Sequence, residues 1–286
     1  MRRWTPKRYT RHLYRPEHYR VRGIGLVSAH SFTKDRGTLF SEVPEITAYF
    51  WIVKVLTTAM GEATSDYLVY HMNPYLAVVL GFLALAVSFA LQIATRRYIA
   101  WVYWLLVMMV AVFGTMVADA SHIVLGIPYA VTSTAFAVVL ALVFATWYTV
   151  ERTLSIHSIH TRRRELFYWA TVMATFALGT AVGDMTAVTL HLGYLASAGL
   201  FAILFALPLV ARRLFGWSEI FTFWFAYVIT RPLGASIADF LGMPQYVGGL
   251  DINKALFAAI LTLFIALFVG YFTMTRSDVQ PALQPE

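Results

Sequence analysis

Four aspartates stand at equivalent positions of a motif that occurs four times in the chain. In each copy a tryptophan is followed ten residues later by a glycine, and an aspartate follows five residues after that, W-x9-G-x4-D. Four gapless copies would not arise by chance, so the motif indicates an internal repeat. The tryptophans are Trp51, Trp104, Trp169 and Trp224, the glycines Gly61, Gly114, Gly179 and Gly234, and the aspartates Asp66, Asp119, Asp184 and Asp239.

Each motif carries a polar stripe if it is helical. The positions seven, eleven and fifteen after the tryptophan share one helix face because they are four residues apart. In the first copy these are Thr58, Glu62 and Asp66, with Lys54 one step before them. In the other copies they are Ala111, Thr115 and Asp119, then Phe176, Thr180 and Asp184, and finally Arg231, Ala235 and Asp239.

The stripes hold more acids than bases. Counted over apolar segments, two bases against five acids give 2 − 5 = −3, and such a cluster needs bound protons or a cation. Oxygen ligands suit Mg²⁺, Ca²⁺ or Mn²⁺, and the chain has no cysteine for softer metals. We therefore predict an ion site formed by Glu62, Asp66, Asp119, Asp184 and Asp239, supported by the hydroxyls of Thr58, Thr115 and Thr180, with His122 as a weaker metal ligand.

Several residues of the stripes leave more than one interpretation open. Glu62 has no acidic counterpart in the other copies, which makes it the best single candidate for an ion ligand or a proton carrier. Lys54 and Arg231 could neutralise charge inside the bundle or could gate the site. The aspartates could instead cap the turns that lead to the next helices.

The composition places the motif in a membrane. Of the 286 residues, 59% are hydrophobic and 13% are charged, with a mean hydropathy of +0.65, whereas soluble domains carry about 25% charged residues. Runs of about 20 apolar residues are long enough to cross about 30 Å of hydrocarbon as helices. We predict an all-α fold of eight transmembrane helices in four parallel, pseudo-symmetric repeats, with spans at 45–68, 75–95, 98–124, 128–150, 165–190, 193–213, 217–241 and 253–275.

Basic residues between the spans predict the orientation. By the positive-inside rule, both termini face the cytoplasm from the bacterial inner membrane, because only Lys254 falls on the opposite side. The residues on the predicted cytoplasmic side are Arg96, Arg97, Arg152, Arg162, Arg163, Arg164, Arg212, Arg213 and Arg276.

The first 42 residues differ from the rest of the chain. They hold ten basic and three acidic side chains, 10 − 3 = +7, which equals the net charge of the whole chain. We predict a largely disordered tail that lies on anionic headgroups and binds no nucleic acid. The predicted organisation is a tail at 1–42, repeats at 43–97, 98–164 (with a basic loop), 165–214 and 215–275, and a C-terminal tail at 276–286.

The pattern resembles a family of bacterial membrane-anchored proteins built from four tandem two-helix repeats, each with a tryptophan and a G-x4-D motif. The stretches that carry the resemblance most specifically are FWIVKVLTTAMGEATSD in the first copy and TRPLGASIADF in the last. The resemblance covers roughly residues 43–275 and implies the fold and the number of repeats, but it adds little about mechanism.

The sequence favours transport over catalysis. Motifs of nucleotide hydrolysis, serine hydrolysis and dinucleotide binding are absent, so we expect neither an enzyme nor a bound cofactor. The leading hypothesis is a secondary transporter that exports a divalent cation, preferably Mn²⁺, in exchange for protons. The alternative is a membrane anchor or regulator whose basic tail recruits a partner. A homo-oligomer is compatible with either hypothesis.

Overall fold

The computed structural model describes residues 43–95 and 97–280, and these residues form eight long α-helices and no strand. The predicted all-α class is therefore confirmed over this part of the chain. The predicted tail at 1–42, Arg96 and the last six residues lie outside it. The helices are α1 (Ala48–His71), α2 (Pro74–Ala94), α3 (Ala100–Asp119), α4 (Tyr129–Glu151), α5 (Arg162–Asp184), α6 (Tyr194–Phe215), α7 (Glu219–Gly242) and α8 (Lys254–Thr275).

Local signals begin and end these helices. The Thr47 hydroxyl accepts a hydrogen bond from the Phe50 N–H (3.3 Å) at the start of α1, and the side-chain Oδ1 of Asn253 accepts one from the Leu256 N–H (3.0 Å) at the start of α8. At the other end, Gly216 adopts φ +65° after α6, a left-handed conformation that suits glycine. Because these signals are local, most helix ends fall within a few residues of the predicted ones.

Two of the motif helices change their hydrogen bonding beside the motif aspartate. After Asp119 and Asp184 the backbone continues as a π-helical turn, over Ala120–Val124 and Met185–Thr189. Such turns are rare and occur often at functional sites. By contrast, α1 and α7 continue as α-helices past Asp66 and Asp239.

Helix length and composition make the chain a membrane protein. The helices α2 to α8 are each long and apolar enough to cross a bilayer, and those based on α3 and α5 include their π-helical turns. The remaining long helix, α1, has 24 residues but carries Lys54, Glu62 and Asp66. Charged side chains inside a membrane are costly unless they face a protein interior or water, so their position in the bundle needs an explanation.

The four motif helices form the centre of the bundle. Helix α1 packs on α3, α3 on α5, α5 on α7, and α7 closes the ring on α1. Each even-numbered helix lies outside and packs against the odd helix that follows it, with α8 packing against α1. The motif helices α3 and α5 are accordingly about two-thirds buried, whereas the outer helices α2, α4 and α8 are about one-fifth buried. The motif helices therefore lie at the centre, and the even-numbered helices surround them.

The motif glycine explains how closely these helices approach. Each glycine faces the residue seven positions after the tryptophan of the next motif helix, and the series closes on itself. A Cβ atom added at Gly114 would lie 2.8 Å from the Cβ of Phe176, well inside normal contact. The four pairs are Gly61 with Ala111, Gly114 with Phe176, Gly179 with Arg231, and Gly234 with Thr58. These contacts bring similar levels of neighbouring motif helices side by side.

The two ends of this central ring differ in charge. We name the end where the odd helices begin the basic end, because the arginines of the helix connections lie there, and the end with the motif aspartates the acidic end. At the basic end, the segment that precedes α1 contacts the segment that follows α8. The Glu45 N–H donates to the Asp278 carbonyl (2.8 Å), and the Gln280 amide donates to the Pro44 carbonyl (3.0 Å).

Candidate functional site

The polar stripes of the four motif helices all face the interior of the ring. At the level seven residues after the tryptophans, Thr58, Ala111, Phe176 and Arg231 are fully buried. At the next level, Glu62, Thr115, Thr180 and Ala235 are at most 2% exposed. At the third level, Asp66 and Asp239 are buried and Asp119 and Asp184 are partly buried. The axis of the bundle is therefore polar over two successive helix turns.

Arg231 connects all four motif helices. From α7 its Nη2 donates to the Glu62 carboxylate of α1 (2.6 Å), to the Thr180 hydroxyl of α5 (2.6 Å) and to the Thr115 hydroxyl of α3. Its Nη1 donates to the Thr58 carbonyl (3.3 Å). Ala235 supplies the fourth position of the Glu62 level, and its small side chain leaves room for the guanidinium.

Glu62 receives hydrogen bonds from two hydroxyls as well as from Arg231. The Thr115 hydroxyl lies 3.2 Å from its Oε2, and the Thr180 hydroxyl lies 3.5 Å from the same atom. Glu62 and Arg231 are both almost inaccessible, with side chains 3% and 0% exposed. A buried ion pair of this kind needs such additional hydrogen bonds to offset the desolvation of its charges.

Three carboxylates come together above this ion pair. Oxygen atoms of Glu62, Asp66 and Asp119 all lie within 4.8 Å of one another. Lys254, at the first turn of α8, donates a hydrogen bond to Asp66 and forms a salt bridge with it. Such a group of oxygen atoms has the chemistry of a divalent cation site.

Asp184 and Asp239 complete the acidic end. Asp239 interacts electrostatically with Glu62, Asp184, Asp66 and Lys254, and Asp184 interacts with Glu62 and Asp66. Within residues 43–95 and 97–280, no side-chain hydrogen bond reaches Asp119, Asp184 or Asp239. The alternative interpretation, in which the aspartates cap the following helices, is wrong for the described residues. Asn73 and Asn253 cap α2 and α8, while α4 and α6 have no side-chain cap.

Lys54 lies on the same axis, nearer the basic end. Its side chain is 1% exposed, and its Nζ has no hydrogen-bond partner among the described residues. The ammonium lies 4.0 Å from the ring centre of Phe176 and 4.0 Å from that of Tyr227. The Cζ of Arg231 lies 5.3 Å from the same Phe176 ring. Lys54 is therefore held by two aromatic rings and not by an anion.

Aromatic side chains fill the ring between Lys54 and the basic end. Tyr103 and Tyr168 are buried and share a hydrogen bond between their hydroxyls. Trp104 and Trp169 pack beside them and are 1% exposed, as expected for packing residues. At the outer edge of this layer Tyr98 donates a hydrogen bond to the Asp278 carboxylate, whose pKa is raised by burial and lowered again, in part, by that hydrogen bond.

An open pocket of about 660 Å³ lies at the acidic end, and we call it the vestibule. It is formed between the end of α1, the start of α6 and the connection from α7 to α8. Lys254 lines it and also bonds to Asp66, whereas none of the five carboxylates of the site lines it directly. Its other lining residues include Tyr67, Tyr70, Tyr194, Tyr246 and Asp251.

His122 is not brought into the carboxylate group. Its Nδ1 lies 2.9 Å from the Ile127 carbonyl, and its ring stacks on Tyr129 with 3.7 Å between ring centres. Lys254, in contrast, was not among the predicted site residues. The signal was present in the sequence, because Lys254 is the one basic residue on its side of the predicted membrane. Neither Phe176 nor Tyr227 stood out, since an aromatic residue in an apolar helix is ordinarily a packing residue.

Four consecutive segments of the chain match one family model, described as Repeat of Unknown Function (DUF347). The matched residues are 49–98, 102–153, 167–215 and 222–278. Because the matches cover well over half of the chain, the protein belongs to this family, and the four tandem repeats predicted from the motif are confirmed. No curated protein and no solved structure matches the chain.

Proposed function

We propose that the protein is a secondary transporter that exports a divalent cation, with Mn²⁺ preferred, in exchange for protons. The observation that supports this most directly is the meeting of Glu62, Asp66 and Asp119, whose oxygen atoms lie within 4.8 Å of one another. These carboxylates come from two different repeats and lie on the axis of the bundle. Transporters built from repeats bind their substrates in such places.

The charge of the site suits the exchange of one divalent cation for two protons. Along the axis there are five carboxylates and three cationic side chains, the latter being Lys54, Arg231 and Lys254, which leaves 3 − 5 = −2. One divalent cation carries the same charge as two protons, so exchanging them leaves the charge of the axis unchanged, whichever groups carry the protons. Because an uncompensated charge is costly away from water, each filled state is favoured over the empty one.

The chemistry of the ligands favours a hard cation. Carboxylate oxygens and threonine hydroxyls are the only side-chain ligands around the group of three acids, and neither sulfur nor imidazole belongs to it in the described part of the chain. Such oxygen ligands suit Mg²⁺, Ca²⁺ and Mn²⁺. Mn²⁺ is the preferred member of this class in our proposal.

The proposed transport requires that the site open to one side of the membrane and then to the other. We assign the first to the vestibule, because it opens at the acidic end and is lined by Lys254, which bonds to Asp66. At the basic end the axis is filled by Tyr103, Tyr168 and the motif tryptophans. We propose that this aromatic layer opens in the alternate state, when the vestibule closes.

We further propose that α1 crosses the membrane together with α2 to α8, giving eight spans with pseudo-fourfold symmetry. The cyclic contacts of the four motif glycines support the symmetry. The burial of Lys54, Glu62 and Asp66 inside the ring supports the eighth span, because it hides their charge from lipid. The arginines of the basic end support a cytoplasmic location for that end, by the positive-inside rule.

The experiment is a flux assay in liposomes that contain the purified protein. With a proton gradient as the only energy source, the wild type should move Mn²⁺ against its own gradient. Asp119→Asn and Asp184→Asn are the best variants, because neither side chain makes a hydrogen bond within the described residues and the fold should survive. We expect each to slow the flux at least roughly tenfold, as for loss of a close charge contact.

A matched control is Glu219→Gln, which removes an acid from the exposed Arg212–Glu219 pair at the basic end. This variant should transport like the wild type. Absence of any flux of Mn²⁺, Ca²⁺ or Mg²⁺ in the wild type would overturn the proposal. So would full activity in Asp119→Asn, Asp184→Asn and Glu62→Gln alike.

A further inference from the structure

The position of Lys54 is unusual for a charged side chain. It is 1% exposed, its Nζ has no hydrogen-bond partner in the described part of the chain, and no carboxylate contacts it. A buried ammonium is normally paired with an anion and hydrogen-bonded. Here two aromatic faces, each 4.0 Å away, replace only part of the lost hydration. The surroundings therefore stabilise the protonated form of this nitrogen only weakly.

The groups around Lys54 do not stabilise its charge either. From α7 it faces Tyr227 and, farther along, the cationic Arg231. The phenols of Tyr103 on α3 and Tyr168 on α5 bond to each other. Helix α8 packs outside α1, and its own titratable groups, Lys254 and Tyr271, lie near its two ends. No acidic side chain from any of these helices reaches the ammonium.

The carboxylates of the candidate site lie farther along the same helix. Glu62 follows Lys54 by eight residues, a rise of about 12 Å at 1.5 Å per residue. Through a buried bundle, a charge at Lys54 and a divalent cation at Glu62, Asp66 and Asp119 repel each other over that distance with little screening. One of the two is favoured to leave when the other is present.

We propose that Lys54 supplies one of the two protons that the divalent cation displaces. This inference rests on the proposed function and names a residue through which protons and the cation are coupled. When the cation binds, one N–H bond of the ammonium breaks, its electron pair stays on Nζ, and the proton passes to water at the basic end. The Tyr227 hydroxyl, which interacts with Tyr168, and the Tyr103–Tyr168 pair lie toward that end.

The test counts the protons released when Mn²⁺ binds to the purified full-length protein. Calorimetry in buffers of different ionisation enthalpy gives this number directly, because metal binding releases protons from its site. We expect about two protons per Mn²⁺ for the wild type and about one for Lys54→Met, as linkage requires when one titrating group is lost. Lys54→Met should fold at least as well as the wild type, because it removes an unpaired buried charge.

Lys54→Arg separates the proton from the charge. An arginine does not lose its proton, so this variant should also release about one proton, but it should bind Mn²⁺ roughly tenfold more weakly than Lys54→Met. Arg212→Met removes an exposed base at the basic end and should behave like the wild type.

The outcomes separate this inference from the proposed function. If Lys54→Met binds Mn²⁺ and still releases two protons, the inference is overturned while the transporter proposal stands. A variant that only lowers the melting temperature, with the proton count unchanged, has the same consequence, since Lys54 would then be structural. If the wild type binds no divalent cation at all, the proposed function fails and takes this inference with it.

Discussion

The first and fourth repeats differ from the second and third, although all four share one framework. The glycine contacts are the same in every repeat. Apart from the four motif aspartates, however, the charged side chains of the site come from the first and fourth repeats: Lys54 and Glu62 from α1, Arg231 from α7 and Lys254 from α8. At the same levels the second and third repeats supply Thr115, Thr180 and apolar residues.

The backbone follows the same division. The helices of the second and third repeats relax into π-helical turns after their aspartates, whereas those of the first and fourth remain α-helical. The comparison teaches that the repeated glycines set the close contacts between neighbouring motif helices. The residues that break the repeat form the ion pair of Glu62 with Arg231 and the contact of Lys54 with two aromatic rings. Variants can test each part of this division separately.

The largest effect should come from breaking the central ion pair. Arg231→Met leaves Glu62 buried without its cation, and we expect a loss of about 3–5 kcal/mol in the free energy of unfolding. Unfolding of the detergent-solubilised protein measures it. Arg212→Met is the control, since that pair is exposed and should contribute about 0–1 kcal/mol.

The double variant sharpens this prediction. Combining Arg231→Met with Glu62→Gln removes both charges, so it should recover a large part of the lost stability. If Arg231→Met is no more harmful than Arg212→Met, the asymmetric pair does not hold the bundle together.

The second-largest loss of stability should come from substitution of a motif glycine, and it should not depend on charge. Gly114→Ala places a Cβ 2.8 Å from that of Phe176, which we expect to destabilise the protein by about 1–3 kcal/mol through overpacking. Gly199→Ala is the matched control, because no atom lies within 4 Å of its added Cβ. Equal melting temperatures for the two variants would show that close helix approach is not the function of the motif glycine.

Removal of Lys254 should strengthen cation binding. Lys254→Met frees Asp66 from its salt bridge and changes the charge sum of the axis from −2 to −3. We expect the affinity for Mn²⁺ to rise by roughly tenfold, measured by calorimetry or as a lower KM for flux. Arg213→Met, an exposed change at the basic end, should leave the affinity unaltered. Weaker binding by Lys254→Met would mean that Lys254 positions Asp66 for the cation.

The smallest effects should come from the two threonines of the symmetric repeats. Thr115→Val and Thr180→Val each remove a hydroxyl that bonds to both Glu62 and Arg231. We expect each to cost about 1 kcal/mol in the free energy of unfolding, and the two costs to be similar. Thr134→Val, whose exposed hydroxyl bonds only to its own helix, should cost less. A large difference between Thr115→Val and Thr180→Val would contradict equivalent roles.

Several features of the fold follow from local sequence signals. Apolar runs of about 20 residues require helices in a membrane, and caps such as Thr47 and Asn253 mark their starts. The four-residue spacing predicted that Glu62, Thr115 and Thr180 each lie on the polar face of their own helix, and in the structure they surround one guanidinium. The π-helical turns after Asp119 and Asp184 carry no comparable signal in the sequence.

The sequence alone determined the helices, their four repeats and the inward polar face, because periodicity and helix length act between neighbouring residues. Only the tertiary structure decided the partners: Glu62 and Arg231 are 169 residues apart, and Asp66 and Lys254 are 188 residues apart. Those pairs exist because the ring of motif helices closes α7 onto α1 and lays α8 beside it. A spacing pattern shows which residues share a helix face, but the packing of the other helices determines which side chains that face meets.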